Sequence, residues 1–260
     1  MILAALATLI FGAVLGPEMP LILIGGGLAA LAVRLARRDV PDRARAVVAS
    51  AGSFAAISTL LGSPLAGAFL LMEASGLGGQ MLGPVLLPGL LAAGVGSLIF
   101  IGLDAWTGLG TFSLAIPGLP TLGRPDLAEF GWALVIGVAA AVVGSVIRRL
   151  GRLLHGYSDR QVLIMTPLAG LAVAGLAIAY AEGTGKPSSD VLFSGQAALP
   201  PLVQHAATYT VGALLLLLLC KKLAHAVSLG SLRGGPTFPA LFVGAAGGVA
   251  SSCFPPTRSR

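Results

Sequence analysis

The sequence predicts an all-α integral membrane protein built from tilted and broken helices. Three observations carry this. Of 260 residues, 56% are hydrophobic and only 10% are charged, against about 25% charged in a soluble domain. Mean hydropathy is +0.93. Glycine and proline are abundant, at 37 and 17 residues, as expected where membrane helices are interrupted or closely packed. Sixteen basic and ten acidic side chains cannot cover a soluble surface of this size. That excludes an ordinary cytosolic enzyme and a disordered chain. The net charge of +6 does not indicate nucleic acid, because the bases sit in short clusters without aromatic residues between them.

Charge-free runs organise the chain. They cover 1–17, 19–33, 46–72, 74–103, 105–123, 130–147, 161–181, 191–220 and 234–257. A spanning helix needs about 20 apolar residues. The first two runs meet at Glu18 with no basic loop between them. Run 46–72 breaks at Gly62-Ser63-Pro64, and run 191–220 at Pro200-Pro201. About ten helical segments result, many half-length or tilted. Alternation of polar and apolar residues, the mark of a membrane β-barrel, is absent. Residues 104–127 hold Asp104, Pro117, Pro120, Arg124, Pro125 and Asp126 with no apolar periodicity. They read as a linker between a first membrane half, 1–103, and a second, 128–260.

The basic clusters Arg34, Arg37, Arg38, Arg43, Arg45 and Arg148, Arg149, Arg152, Arg160 read as loops at the membrane surface. Cys220 and Cys253 are isolated and the three histidines are scattered, so no metal site and no cofactor are expected. Met1 opens an apolar stretch without a basic leader, which argues against a cleaved signal peptide.

The halves share an echo. Pro20-Leu-Ile-Leu-Ile-Gly25 and Pro239-Ala-Leu-Phe-Val-Gly244 have the same Pro-to-Gly spacing. Each follows a short Gly/Pro segment, Gly16-Pro17-Glu18-Met19 in one and Gly234-Gly235-Pro236-Thr237-Phe238 in the other. Interrupted helices at matching places in two halves point to a transport site at the bilayer midplane. Proline is favoured at the first helical position, so Pro20 and Pro239 read as helix starts. A helix start offers unpaired N–H groups and a positive dipole end to an anion. Glu18 reads equally as an interfacial cap and as a functional acid, since an intramembrane carboxylate is costly unless paired, hydrated or protonated. Glu73 reads as a water-facing end and His205 as a satisfied packing residue. Glu129, Asp159, Glu182 and Asp190 read as solvated ends of apolar runs.

These residues resemble a known family. Gly12-Ala-Val-Leu-Gly16-Pro17-Glu18-Met19-Pro20, followed by Ile24-Gly25-Gly26, is similar to the G-x-E-G-P segment of the CLC chloride channels and chloride/proton antiporters. Pro64-Leu65-Ala66-Gly67 matches the family's P-L-A-G element. Gly235-Pro236-Thr237-Phe238-Pro239 loosely matches its G-x-F-x-P. Order and spacing agree for all three. The resemblance implies two inverted-topology halves, a homodimer in the plasma membrane with an anion path in each subunit, and Glu18 as gating glutamate. Gly16, Glu18, Met19, Pro20, Thr237 and Phe238 would then line the site for chloride or a similar anion.

The departures are informative. Proton-coupled members usually end the helix after P-L-A-G in Glu-Glu; here it ends Glu73-Ala74, and alanine cannot carry a proton. Pro17 stands in place of the usual Arg, Met19 in place of Gly, and Thr237 in place of Phe. The family's G-S-G-I-P motif is absent, and neither Tyr157, Tyr180 nor Tyr209 matches its anion-contacting tyrosine. The chain thus reads as the middle of the fold, truncated at both termini. The expectation is channel-like or uncoupled anion passage in a multi-pass membrane protein. The rivals are a proton-coupled antiporter and a non-transporting remnant. An enzyme has the least support, because no metal cluster, nucleophile–base pair or phosphate loop is present.

Overall fold

The computed structural model describes residues 2–36, 39–75, 82–108, 127–158 and 160–252. Ten α-helices occur among them: α1 (Ile2–Ile10), α2 (Glu18–Ala36), α3 (Asp42–Leu61), α4 (Pro64–Ser75), α5 (Leu82–Thr107), α6 (Leu127–Ser158), α7 (Val162–Thr184), α8 (Leu199–Gln204), α9 (Val211–Ser231) and α10 (Thr237–Ser252). Two 3-10 turns, Ser188–Asp190 and Ala206–Thr208, flank α8. No β-strand is found among the described residues; one isolated antiparallel pair joins Gly16 and Gly235. The protein is an all-α membrane protein. Among the described residues six helices are long and apolar enough to cross a bilayer: α2, α3, α5, α6, α7 and α9.

The chain divides into two compact units. One is Glu18–Ala115, and the other joins Met1–Pro17 to Ile116–Arg260. The expected linker 104–127 lies mostly outside the described residues, and Asp104 belongs to α5. Arg37, Arg38, Asp159 and Cys253 also lie outside them.

In the first unit α3 is central, packing against α2, α4 and α5. The expected break at Gly62-Ser63-Pro64 is present and has a local cause. Gly62 adopts a left-handed conformation (φ 65°) and its N–H reaches the carbonyls of Ser58 and Thr59, the usual way to satisfy a helix end. Ser63 Oγ then accepts the Ala66 N–H at 3.3 Å, and Pro64 opens α4, where no N–H is needed. The α2–α3 contact is unusually close. A Cβ placed on Gly25 would stand 2.5 Å from the Gly52 carbonyl oxygen. Ser53 Oγ crosses the same seam to the Ile22 carbonyl at 3.0 Å.

In the second unit α9 packs against α6, α7 and α10. Its core gathers Val14, Val173, Ala177, Tyr180, Leu214, Leu217, Phe242 and Ala246. Elsewhere large apolar side chains face outward along whole helices, as Val138, Val142 and Val146 do on α6. A water-soluble domain rarely exposes such continuous faces, whereas lipid tails solvate them.

Candidate functional site

Residues 12–17 form a non-helical strap between α1 and α2. Val14 is held from both sides by α9: its N–H donates to Ser228 Oγ at 3.2 Å, and its carbonyl lies 2.7 Å from His225 Nδ1. Gly16 and Gly235 then exchange two backbone bonds, Gly16 N–H to Gly235 O at 2.7 Å and Gly235 N–H to Gly16 O at 2.8 Å. The crossing needs small residues, since a Cβ on Gly234 would sit 2.6 Å from Leu15 Cβ.

Each paired glycine leads into a helix in the same way. Gly16-Pro17 is followed by Glu18-Met19-Pro20, and Gly235-Pro236 by Thr237-Phe238-Pro239. The helices start at Glu18 and Thr237, two residues before the prolines read as their starts. Pro20 and Pro239 instead take the third helical position. The physical reason is that the whole first turn lacks intrahelical acceptors for its N–H groups, so a proline fits there as well as at the first residue. Pro17 and Pro236 serve as the non-helical residues between the glycine pair and the helix.

The candidate site residues fall in both units. Gly16, Thr237 and Phe238 belong to the unit containing α9, where the glycine pair brings the strap against the start of α10. Phe238 is 2% exposed and Thr237 half-buried. Glu18, Met19 and Pro20 open the other unit. Glu18 is buried at 1% exposure, at the first residue of α2. Met19 is exposed and Pro20 half-buried. Ala74 lies in the last turn of α4.

A second polar centre lies beside the strap. Lys221, in the middle of α9, is fully buried. Its Nζ donates to the main-chain carbonyls of Asp190 at 2.8 Å, Val191 at 3.1 Å and Leu192 at 3.3 Å. The ammonium also stands 4.3 Å from the Phe242 ring centroid, within cation–π range. Gly195 has φ +87°, and a Cβ there would meet Phe242 at 2.8 Å and Lys221 Cε at 3.0 Å. The Asp190 carboxylate accepts from Tyr180 Oη at 3.2 Å and Tyr209 Oη at 3.1 Å. Burial, with Asp190 beside it, pushes the Tyr209 phenol up to about 12. Tyr209→Phe is expected to cost about 1.5–3 kcal/mol, the range for a hydrogen bond to a carboxylate, read as a lowered midpoint in thermal unfolding. Tyr180 still bonds Asp190 in that variant, so helix content stays unchanged.

The family profile described as voltage gated chloride channel matches residues 1–255. The chain belongs to the voltage gated chloride channel family. Relatives named "Putative ion-transport protein YfeO" from Escherichia coli O1:K1 / APEC and Escherichia coli O81 (strain ED1a) are 30% identical over 258 residues, covering 96% of this chain and 56% of theirs. The same-named protein of Escherichia coli O157:H7 (strain EC4115 / EHEC) is 30% identical over 260 residues, with the same coverage. The chain therefore spans little more than half the length of these relatives.

Within this voltage gated chloride channel family member, three sequence expectations need correction. Asp190 is buried, not a solvated end, because two tyrosines and the 3-10 turn enclose it. His205 is exposed, with Nδ1 3.2 Å from the Pro201 carbonyl of its own helix, and is not a packing residue. Pro200-Pro201 does not break a long helix; both lie in the first turn of the short α8. The Lys221–Asp190 centre was missed altogether. Its sequence signal was present: opposite charges bound both ends of the uncharged run 191–220.

Proposed function

We propose that the protein passes chloride or a similar anion across the membrane, with Glu18 as the gate. The observation that carries this is the repeated Gly-Pro-x-x-Pro helix start, one copy of which bears a buried carboxylate. Helix starts supply N–H groups and a positive dipole end, which bind an anion without a full positive charge. Such binding is strong enough to admit an ion and weak enough to release it. In the unit containing α9, Gly16, Thr237 and Phe238 supply the backbone of one such helix start; in the other unit, Met19 and Pro20 follow Glu18 in the first turn of α2. Glu18 carries the same charge as the ion and competes with it, so protonation favours passage. Ala74 provides no internal proton carrier, which favours uncoupled, channel-like flow. The assembly is a homodimer with one path per protomer.

The test is anion flux from proteoliposomes as pH is lowered. A single required protonation gives up to about a tenfold rise per pH unit above the carboxyl's pKa. Glu18→Gln is expected to flux with that slope flattened. An unchanged slope in Glu18→Gln removes Glu18 as gate, and proton movement opposite to chloride overturns the uncoupled reading.

A further inference from the structure

Away from the strap, the C-terminal part of α6 forms an open basin with α9. Its volume is about 630 Å³, and its lining includes Ser145, Arg148, Arg149, Arg152, His155 and Leu229. Close helix approach builds it. A Cβ on Gly230 would stand 2.8 Å from the Gly151 carbonyl oxygen, and Ser158 Oγ lies 2.8 Å from Ser231 Oγ just beyond.

The charge is one-sided. The lining holds three arginines and no carboxylate. None of the three forms an ion pair among the described residues. Depth follows from length. The uncharged run 130–147 on α6 spans about 27 Å at 1.5 Å per residue, close to the ~30 Å hydrocarbon layer, and Arg148 comes next. The guanidiniums therefore stand at headgroup level. Exposed Val138, Val142 and Val146 repeat every four residues and so share a stripe on α6. That stripe continues onto Arg149 and the exposed Leu153. The exposed Tyr157 follows one turn later, a residue type enriched at the interface.

We propose that this basin holds the phosphate of an anionic phospholipid, whose acyl chains lie along the valine stripe. Arginine suits the site because its planar fork bonds two phosphate oxygens at once. A basic pocket between membrane helices recognises a lipid headgroup in this way.

The experiment is native mass spectrometry of the detergent-solubilised full chain, titrated separately with phosphatidylglycerol, phosphatidylcholine and inorganic phosphate. Each basic side chain at the surface contributes about fivefold, so Arg148→Gln, Arg149→Gln and Arg152→Gln together weaken phosphatidylglycerol binding on the order of a hundredfold. Phosphatidylcholine binding stays unchanged. The matching triple lysine variant retains most of the preference. If the triple glutamine variant does not fold, Arg149→Gln and Arg152→Gln singly are each expected to lose about fivefold. Equal phosphatidylglycerol affinity in the glutamine variants and the unsubstituted chain overturns the proposal. Full displacement of the lipid by inorganic phosphate of similar affinity overturns the lipid assignment in favour of a soluble anion.

Discussion

Lys221→Met is expected to destabilise the protein by on the order of 3 kcal/mol or more, read as a large drop in thermal midpoint in detergent. Methionine fills a similar volume, so the loss does not come from a cavity. It comes from the carbonyls of Asp190, Val191 and Leu192, which all receive the same ammonium. Each buried carbonyl left without a donor costs about 1–3 kcal/mol. They lie on one short segment, so their loss frees the turn that also carries Gly195 and the Asp190–tyrosine contacts. Lys222 is the internal control. It is only half-buried, so Lys222→Met is expected to change stability by less than about 0.5 kcal/mol. Equal midpoints for the two variants would show that water or another donor replaces the Lys221 ammonium.

Gly25→Leu is expected to cost about 3 kcal/mol, at the upper end of overpacking effects, and to lower the yield of the monodisperse protein. The clash is with backbone. The Gly52 carbonyl oxygen stands 2.5 Å from the new Cβ, and Ala56 Cβ stands 2.7 Å away. A flexible side chain could move aside, but the carbonyl can retreat only if α2 and α3 separate. That separation would break the Ser53 bond to Ile22. Gly27, two residues on, has open space at its Cβ position. Gly27→Ala is accordingly expected to be neutral or to gain up to about 1 kcal/mol from helix propensity. A Gly25→Leu protein as stable as the Gly27→Ala protein would contradict the close α2–α3 seam.

Local punctuation was legible in the sequence. Gly62-Ser63-Pro64 separates α3 from α4 because glycine takes the left-handed cap and proline the first helical turn, and both preferences belong to single residues. The repeated Gly-Pro segments were also legible as helix starts, although their register was off by two. What escaped was long-range satisfaction of polar groups. Lys221 looked like the edge of an uncharged run, whereas α9 runs from Val211 to Ser231 with Lys221 at its middle. Its acceptors are carbonyls some thirty residues earlier, and every residue carries a carbonyl, so no side-chain pattern marks them. The burial of Asp190 escaped for the same reason, since Tyr180 and Tyr209 reach it from different elements. The arginines on α6 were readable as a surface cluster, but Leu229, which closes their basin, comes from α9.

The glycine pair has a consequence for the order of assembly. Helices α2 to α5 are contiguous in the chain, so their unit can form from residues already made. The other unit is interrupted: its strap is made before α2 to α5, whereas its partners Ser228, His225 and Gly235 are made after them. The two backbone bonds between Gly16 and Gly235 close a loop of more than two hundred residues, and non-local pairing of that kind is slow to form. The strap therefore docks long after it is made. Until α9 and α10 are inserted, the backbone groups of Val14 and Gly16 lack the partners they have in the folded chain.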